Sequence, residues 1–450
     1  MRDLLDNAAR RANRYLESLD TRSAAPAKAD VAALAKFEQA FPEQTSTAEV
    51  VLAELDDIGS PATTASAGGR YFGFVTGGSL PVTVAASWLA AAWDQNGVLA
   101  ITSPINAVLE KVALRWMKDI FHLPEQTAGG FVTSATAANF SALAAARHTL
   151  LRRAGWNVEA QGLFGAPPLT VIVGEEVHAS VQKALAMVGF GRERVMRVPT
   201  DAQGRMRVEA MPPLNDRTIV CVQAGNVNTG AFDPIAEISE RAHSQGAWVH
   251  VDGAFGMWAA AAPAQAHLVR GIEEADSWAT DAHKWLNVPY DCGLVFARDA
   301  NALQAALSVG GGYLVQEEDR IPYQYTPDFS RRARGIEVWA ALRQLGRPGL
   351  AALVERTCRY ARRFADGVGA AGFRVLNDVV LNQVLVSFGS SERTREVIGL
   401  IQDEGTCWCG GTVWQGHTAM RISVSSWATT EMDVERSLTA ILDLAAARPA

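Results

Sequence analysis

Asp281-Ala282-His283-Lys284-Trp285-Leu286-Asn287, together with His250-Val251-Asp252-Gly253-Ala254 upstream, is the sequence from which the rest of the chain is read. Each stretch closes a short apolar or β-branched run, Ser277 to Thr280 and Ala247 to Val251, so each polar group is expected where a buried strand ends. Open α/β sheets carry their chemistry at such ends. A lysine in a partly desolvated site gives up its proton more readily than a surface lysine and can form a Schiff base. A carboxylate on a neighbouring strand end can hold a cationic ring nitrogen. Either residue alone is most often a surface or cap residue, and only the pair carries weight.

Working outward, strand and helix patterns alternate. Strands are expected at Leu169 to Val173, Arg194 to Val198, Thr218 to Gln223, Trp248 to Val251 and Gly293 to Arg298, with helices at Ala179 to Val188 and Pro234 to Gln245. This repetition points to an α/β fold with a mainly parallel sheet and helices on both faces. His178 falls between a strand and a helix, at the sheet edge where Asp252 and Lys284 also lie. It reads either as a structural histidine or as an imidazole lying flat against an aromatic cofactor.

Upstream, Gly129-Gly130-Phe131-Val132-Thr133-Ser134-Ala135-Thr136-Ala137-Ala138-Asn139 runs into an alanine-rich helix. Such a turn offers unpaired backbone N–H groups and hydroxyls to one point, which is a phosphate seat. It also reads as a helix capped by Ser134 or Thr136 with no ligand. The lysine and the acid together suggest pyridoxal phosphate. Before them, Tyr71, Phe72 and Phe74 sit in a glycine-dense loop suited to a cavity wall, or equally to a core. Helices are expected at 2 to 20, Val31 to Ala40, Thr47 to Ile58, Pro81 to Asn96 and Ser103 to Phe121, the last with Ile105, Val108, Leu109, Val112, Leu114, Trp116 and Ile120 as its buried stripe.

Downstream, Gly310-Gly311-Gly312-Tyr313 opens an irregular polar stretch to about Ser330 that contains Tyr323 and Tyr325. Arg331-Arg332-Ala333-Arg334 begins a helix through Leu345, followed by a helix at Leu350 to Gly367. Strands at Gly372 to Val375, Gln383 to Phe388 and Thr418 to Val424, with helices at Arg393 to Glu404 and Glu431 to Ala447, form a smaller α+β unit. Arg421 lies within that last strand, read as a salt-bridging residue or as a carboxylate binder. The expected division is an N-terminal helical segment over 1–66, a large α/β domain over 67–330 and a small domain over 331–450.

The 450 residues are 48% apolar and 20% charged, a globular balance that argues against disorder. Net charge is -7 and the basic residues are scattered, so no nucleic-acid footprint is expected. Met1 to Asp20 lacks the apolar core of a secretory signal, and the run Pro81 to Trp93 is too short to cross a bilayer. A soluble cytoplasmic protein without membrane partners is expected. The five cysteines are widely spaced, and Cys407-Trp408-Cys409 lacks the gap of a zinc or redox pair, so reduced thiols and no metal site are expected.

From roughly Tyr71 to Val434 the chain resembles the group II pyridoxal-phosphate-dependent decarboxylases, the aromatic amino acid and glutamate decarboxylase family of fold type I. The marks are Ser103-Pro104 with Glu110 and Trp116, Thr133-Ser134-Ala135-Thr136, Val177-His178-Ala179-Ser180, Gly225 to Asp233, His250 to Ala254, His283-Lys284-Trp285 and Arg421-Ile422-Ser423. The resemblance implies that Lys284 bonds the cofactor aldehyde and Asp252 keeps the ring nitrogen protonated. His178 and Ala254 flank the ring. Ser134, Ala135, Thr136 and His283 fall in the phosphate region, and Asn228 near the phenolic oxygen. Arg421 matches a position for the substrate carboxylate, with Tyr71 and Phe72 beside the substrate.

The implied activity is decarboxylation of an L-amino acid, aromatic in preference, to an amine and carbon dioxide. In the family a tyrosine on a loop of the neighbouring subunit returns the proton to Cα, and Tyr323 is taken here ahead of Tyr325. A homodimer with shared active sites is implied, the N-terminal helices packing on the partner. Aldehyde synthase, aminotransferase or aldolase chemistry, or cofactor binding without catalysis, stand as alternatives. Two departures leave substrate choice open. Ala137 stands where many members have an acidic residue, and the loop between Gly312 and Arg331 is short.

Overall fold

The computed structural model describes residues 1–309 and 320–447. The chain forms two compact units, one of Ser79–Arg359 with Asn377–Gln383, the other of Met1–Gly78, Tyr360–Leu376 and Val384–Ala450. The first 66 residues therefore share a unit with the C-terminal segment rather than standing apart. The second division falls at Arg359, not at 330. It lies in the second of two helices within Gly335–Ala370, which Gly346 separates with φ 58 and ψ −175, in line with the two helices expected there.

The larger unit is built on a seven-stranded sheet. Its strands are β1 (Ala128–Val132), β2 (Thr170–Gly174), β3 (Met196–Val198), β4 (Thr218–Gln223), β5 (Trp248–Asp252), β6 (Ser277–Asp281) and β7 (Gly293–Ala297). They lie in the order β1-β7-β6-β5-β4-β2-β3. The pairs β2–β3, β2–β4, β4–β5 and β5–β6 are parallel, and β7 runs antiparallel to both β6 and β1. Every residue of β5, β6 and β7 is buried, as a strand covered on both faces requires. The helices Ala135–Arg153 and Ala179–Val188 pack on this sheet through Leu143, Leu150, Val181 and Leu185 against Val171, Val173 and Ile219.

The helix Pro104–Ile120 turns only part of the expected stripe inward, with Leu114 and Ile120 buried and Leu109, Val112 and Trp116 half-buried. It buries Asn106, Glu110, Ala113, Leu114, Met117 and Ile120, while Ile105 and Val108 stay 40% and 58% exposed. Glu110 is the reason. Its carboxylate takes both Arg331 Nη1 (2.6 Å) and Nη2 (3.0 Å), with Arg320 Nη1 at 3.6 Å, and Asn106 Nδ2 donates to it at 3.0 Å. A bidentate buried pair outweighs the pull of two aliphatic side chains. Arg332 likewise pairs with Glu337 and Arg334 with Asp291, so the basic run before the long helix is engaged rather than solvated.

The smaller unit carries a four-stranded sheet of β8 (Arg374–Val375), β9 (Gln383–Ser387), β10 (Gly410–Trp414) and β11 (His417–Ser423), in the order β10-β11-β9-β8. β10 escaped the sequence reading because its two leading glycines carry no strand signal. The expected helix Val31 to Ala40 is instead Lys28–Ala33 followed by a 3-10 turn, Leu34–Phe37. The five cysteines are free and buried. Among the described residues no helix is long and apolar enough to cross a membrane.

Replacing Glu110 with Ala strands the buried Arg331 guanidinium, so the variant is expected to lose about 3–5 kcal/mol. Urea unfolding followed by tryptophan fluorescence measures this, and an unchanged midpoint removes Glu110 from the account of the helix.

Candidate active site

Because β1, β2, β4, β5 and β6 all point the same way, everything that follows them emerges at one sheet edge. The sequence between strands therefore decides the site. Ser134 to Thr136 follow β1, His178 follows β2, Asn228 follows β4, Asp252 ends β5 with Ala254 after it, and Asp281 ends β6 with His283 and Lys284 after it.

Asp252 is 5% exposed. Its hydrogen bonds from the Ala254 N–H at 3.3 Å and Ser180 Oγ at 3.5 Å are long for a buried carboxylate. Burial pushes its carboxyl above the usual range, His178 and Lys284 draw it back, and Asp281 pushes it further up. His178 caps the helix Ala179–Val188, its Nδ1 accepting the Ser180 N–H at 3.2 Å and lying 2.8 Å from Ser180 Oγ. A neutral His178 ring thus carries its proton on Nε2.

Behind these residues runs a buried polar chain. Trp248 Nε1 donates to Ser277 Oγ (2.9 Å), which lies 3.0 Å from His250 Nδ1. His250 Nε2 lies 2.8 Å from Asn139 Oδ1, and Asn139 Nδ2 donates to Ser180 Oγ at 3.4 Å. With the carboxamide so oriented, His250 donates from Nε2. Burial pushes its pKa down to about 3, so it is neutral.

Asp281, 2% exposed, holds the other end. Its Oδ2 lies 3.0 Å from Lys284 Nζ and 3.7 Å from His283 Nε2, and its Oδ1 accepts the Ala135 N–H at 2.6 Å. Ala135 opens the helix Ala135–Arg153, whose N-cap Ser134 makes no side-chain cap bond. The capping reading of Ser134 therefore does not apply. His283 accepts the Cys292 N–H on Nδ1 (3.1 Å) and stacks on Tyr290 at 4.3 Å, which leaves Nε2 as its donor. Burial lowers its pKa, so that donor belongs to a neutral ring.

Asn228, after β4, is half-buried, its N–H on Asn226 Oδ1 at 2.9 Å, whereas the expected tyrosines have other partners. Tyr323 is 5% exposed in a 3-10 turn, stacked on Phe329 at 5.1 Å and bonded through its N–H to Val98 O. Tyr325 accepts from Gln304 under the Arg320 guanidinium. None of these contacts joins the tyrosines to His178, Asp252 or Lys284. Gly310 to Tyr313 lie outside the described residues.

Arg421, Tyr71 and Phe72 belong to the other unit. There Tyr71 stacks on Trp408 (5.0 Å), and Phe74 lies against the same indole (5.5 Å). A Cβ on Gly73 would meet Trp408 at 2.3 Å, so only glycine admits this packing. Arg421, on β11, is half-buried, and burial lowers its pKa while Tyr71 raises it. Phe72 is 1% exposed and packs edge-on against Phe364 at 5.0 Å, so it is a core residue with no surface for a ligand. Trp408, Ser180, Asn139, His250 and Asp281 received no role from the sequence reading. Asp281 alone left a signal, as an acid three residues before Lys284.

A family model described as the pyridoxal-dependent decarboxylase conserved domain matches residues 32–389. The chain is 26% identical over 426 residues to phenylacetaldehyde synthase of Arabidopsis thaliana, covering 88% of this chain and 86% of that one. To tryptophan decarboxylase 1 of Oryza sativa subsp. japonica it is 27% identical over 427 residues, covering 86% and 82%. Its fold matches a crystal structure of Oryza sativa TDC with PLP and tryptamine at a TM-score of 0.90, with 23% identity over 99% of this chain and 97% of that one. The chain belongs to the pyridoxal-dependent decarboxylase family. It is a carboxy-lyase that acts on amino acids with pyridoxal phosphate.

The residues at the sheet edge fit that cofactor: a weakly bonded buried acid for a cationic ring nitrogen, an amine, and a helix N-terminus for an anion.

The neutral His250 has a consequence for acid stability. Its folded pKa lies near 3 against about 6.5 in an unfolded chain, so below pH 6.5 only the unfolded state takes up this proton. Stability falls as pH drops from about 6.5 towards about 3. His250→Gln is expected to flatten that fall in urea midpoints, and equal falls in variant and wild type would refute the assignment.

Proposed function

We propose that this pyridoxal-dependent decarboxylase removes the α-carboxylate of an aromatic L-amino acid, with its chemistry at the β5–β6 edge. What carries the reading is the convergence of Asp252, Lys284 and the uncapped start of the helix Ala135–Arg153 at one sheet edge. When bound, pyridoxal phosphate supplies an electron-accepting ring that lets a bond at Cα break.

Lys284 would provide the amine that holds the cofactor aldehyde. Asp252 would keep a proton on the ring nitrogen, since a cation placed against it draws its raised carboxyl back towards the charged form. His178 and Ala254 would stand beside the ring. The Ala135 and Thr136 amides with Ser134 and His283 would hold the phosphate, and Asn228 would serve the phenolic oxygen. The protons available at this edge sit on Lys284 Nζ, His178 Nε2 and His283 Nε2. Tyr323, stacked in its turn on Phe329, is a proton donor only if a second subunit presents it. Arg421 takes the substrate carboxylate, a role its half-burial and charge suit. Tyr71 belongs with the substrate side chain, supported by the aromatic group it forms with Trp408 and Phe74.

A homodimer is supported by exposed apolar side chains: Leu89 and Trp93 on the helix Pro81–Trp93, Ile101 after it, and Val108 on the helix Pro104–Ile120 are 44–70% exposed. The helix Arg2–Ser18 buries none of its residues, which suits packing on a partner. Five free thiols suit a reducing compartment, the cytoplasm.

Lys284→Ala is expected to abolish both the visible absorbance of the cofactor-loaded protein and turnover; persistence of either removes Lys284 from the role. A panel of L-amino acids assayed for carbon dioxide, amine, aldehyde and keto acid tests the reaction. Aldehyde as the main product favours the chemistry named for the Arabidopsis relative, and keto acid without carbon dioxide defeats decarboxylation. For the dimer, Val108→Asp is expected to shift sedimentation from two chains to one, and a wild type that sediments as one chain ends that reading.

A further inference from the structure

Asp281 has no part in the proposed chemistry, yet it occupies the middle of the site. Its carboxylate is buried, and it spans the Lys284 ammonium on one oxygen and the Ala135 N–H on the other. The local fold enforces this. Asp281 pairs in register with Gly293 of β7, and a Cβ on Gly293 would meet Ser134 at 2.5 Å. Only a residue without a side chain lets the turn before the helix close down onto Asp281. The first amide of the helix is thereby aimed at a carboxylate supplied from within the chain.

That amide is also the one assigned above to the cofactor phosphate. One N–H cannot fully serve two anions, and a phosphate placed at this helix start meets the Asp281 carboxylate in a buried setting, where like charges repel strongly. The groups facing Asp281 offer limited relief. Lys284 is wanted by the cofactor aldehyde, His283 is a neutral donor at 3.7 Å, and Asp252 and Cys292 bring no positive charge. From this geometry, and resting on the site reading above, we infer that Asp281 is an internal competitor of the cofactor phosphate. It holds Ala135 and Lys284 together in the cofactor-free chain and lowers affinity for a phosphate-bearing ligand. An asparagine of the same shape keeps an oxygen for Ala135 but removes the charge.

Pyridoxal isolates the effect, since it shares the ring and aldehyde of pyridoxal phosphate but lacks the phosphate. Full-length protein freed of cofactor is titrated with each compound, following visible absorbance and tryptophan fluorescence. In Asp281→Asn the ratio of pyridoxal to pyridoxal phosphate dissociation constants is expected to rise about tenfold over wild type, the scale of one hydrogen bond to a charged group. Asp281→Ser is measured alongside and is expected to move the ratio in the same direction, so that poor folding of one variant leaves the other to decide. A ratio that stays level or falls overturns the inference, including the case where both compounds tighten equally, because the effect then acts through Lys284. Lys284→Ala separates the two claims. If it loses the visible band, a level ratio overturns the competitor role alone. If it keeps the band, the site reading and the inference fall together.

Discussion

The parallel pairing of β5 with β6 places two buried carboxylates side by side. Gly253 N–H bonds Ala279 O and Asp281 N–H bonds Ala254 O, both at 2.9 Å, so the strands stay in register past Asp252 and both acids finish at the sheet's functional edge. Burying two carboxylates together is unfavourable unless positive charge or N–H donors come with them. Around this pair the chain assembles its compensation: Lys284 and the Ala135 amide on Asp281, and His178 beside Asp252. The lysine is where it is because the acids need it, before any ligand is considered.

How far this was legible beforehand depended on the range of the interactions involved. The strands β2, β4, β5, β6 and β7 announce themselves because short β-branched runs bounded by polar turns have few other uses in a buried sheet. The helix Ala179–Val188 was readable to its ends, since His178 and Gly189 cap it from within its own sequence. The inward face of Pro104–Ile120 was readable only in part, at Leu114 and Ile120. Periodicity favours Ile105 and Val108, whereas Arg331 acts on Glu110 from 221 residues away. Trp408, which fixes the loop holding Tyr71 and Phe74, is hidden for the same reason, as is the bond between His250 and Asn139 across 111 residues. Local pattern names the elements, while distant charge and packing choose which face of each is used.

The polar chain from Trp248 to Ser180 shows what those distant contacts achieve. With the Asn139 carboxamide oxygen towards His250 and its amide towards Ser180, each link passes a donor in the same direction, and the last hydroxyl is offered to His178 and Asp252. A neutral His250 is required for this polarity, because an imidazolium would need an acceptor on its Nδ1 side as well. Burial of that imidazole thus bears on which tautomer His178 adopts three links away.

The charges at the edge then argue for an asymmetric reception of the cofactor. Two acids and one ammonium leave a buried negative excess, and the ammonium sits against Asp281 rather than midway between the acids. The Asp252 end therefore lacks a cation, which a protonated ring nitrogen supplies, and each of its oxygens accepts only one long hydrogen bond, of 3.3 Å and 3.5 Å, which leaves lone pairs to accept it. At the other end the positive resources are already committed, so a phosphate arrives where the balance is full. One molecule is drawn in by its ring and resisted by its phosphate, and how tightly it is held reflects the difference between those two terms, not their sum.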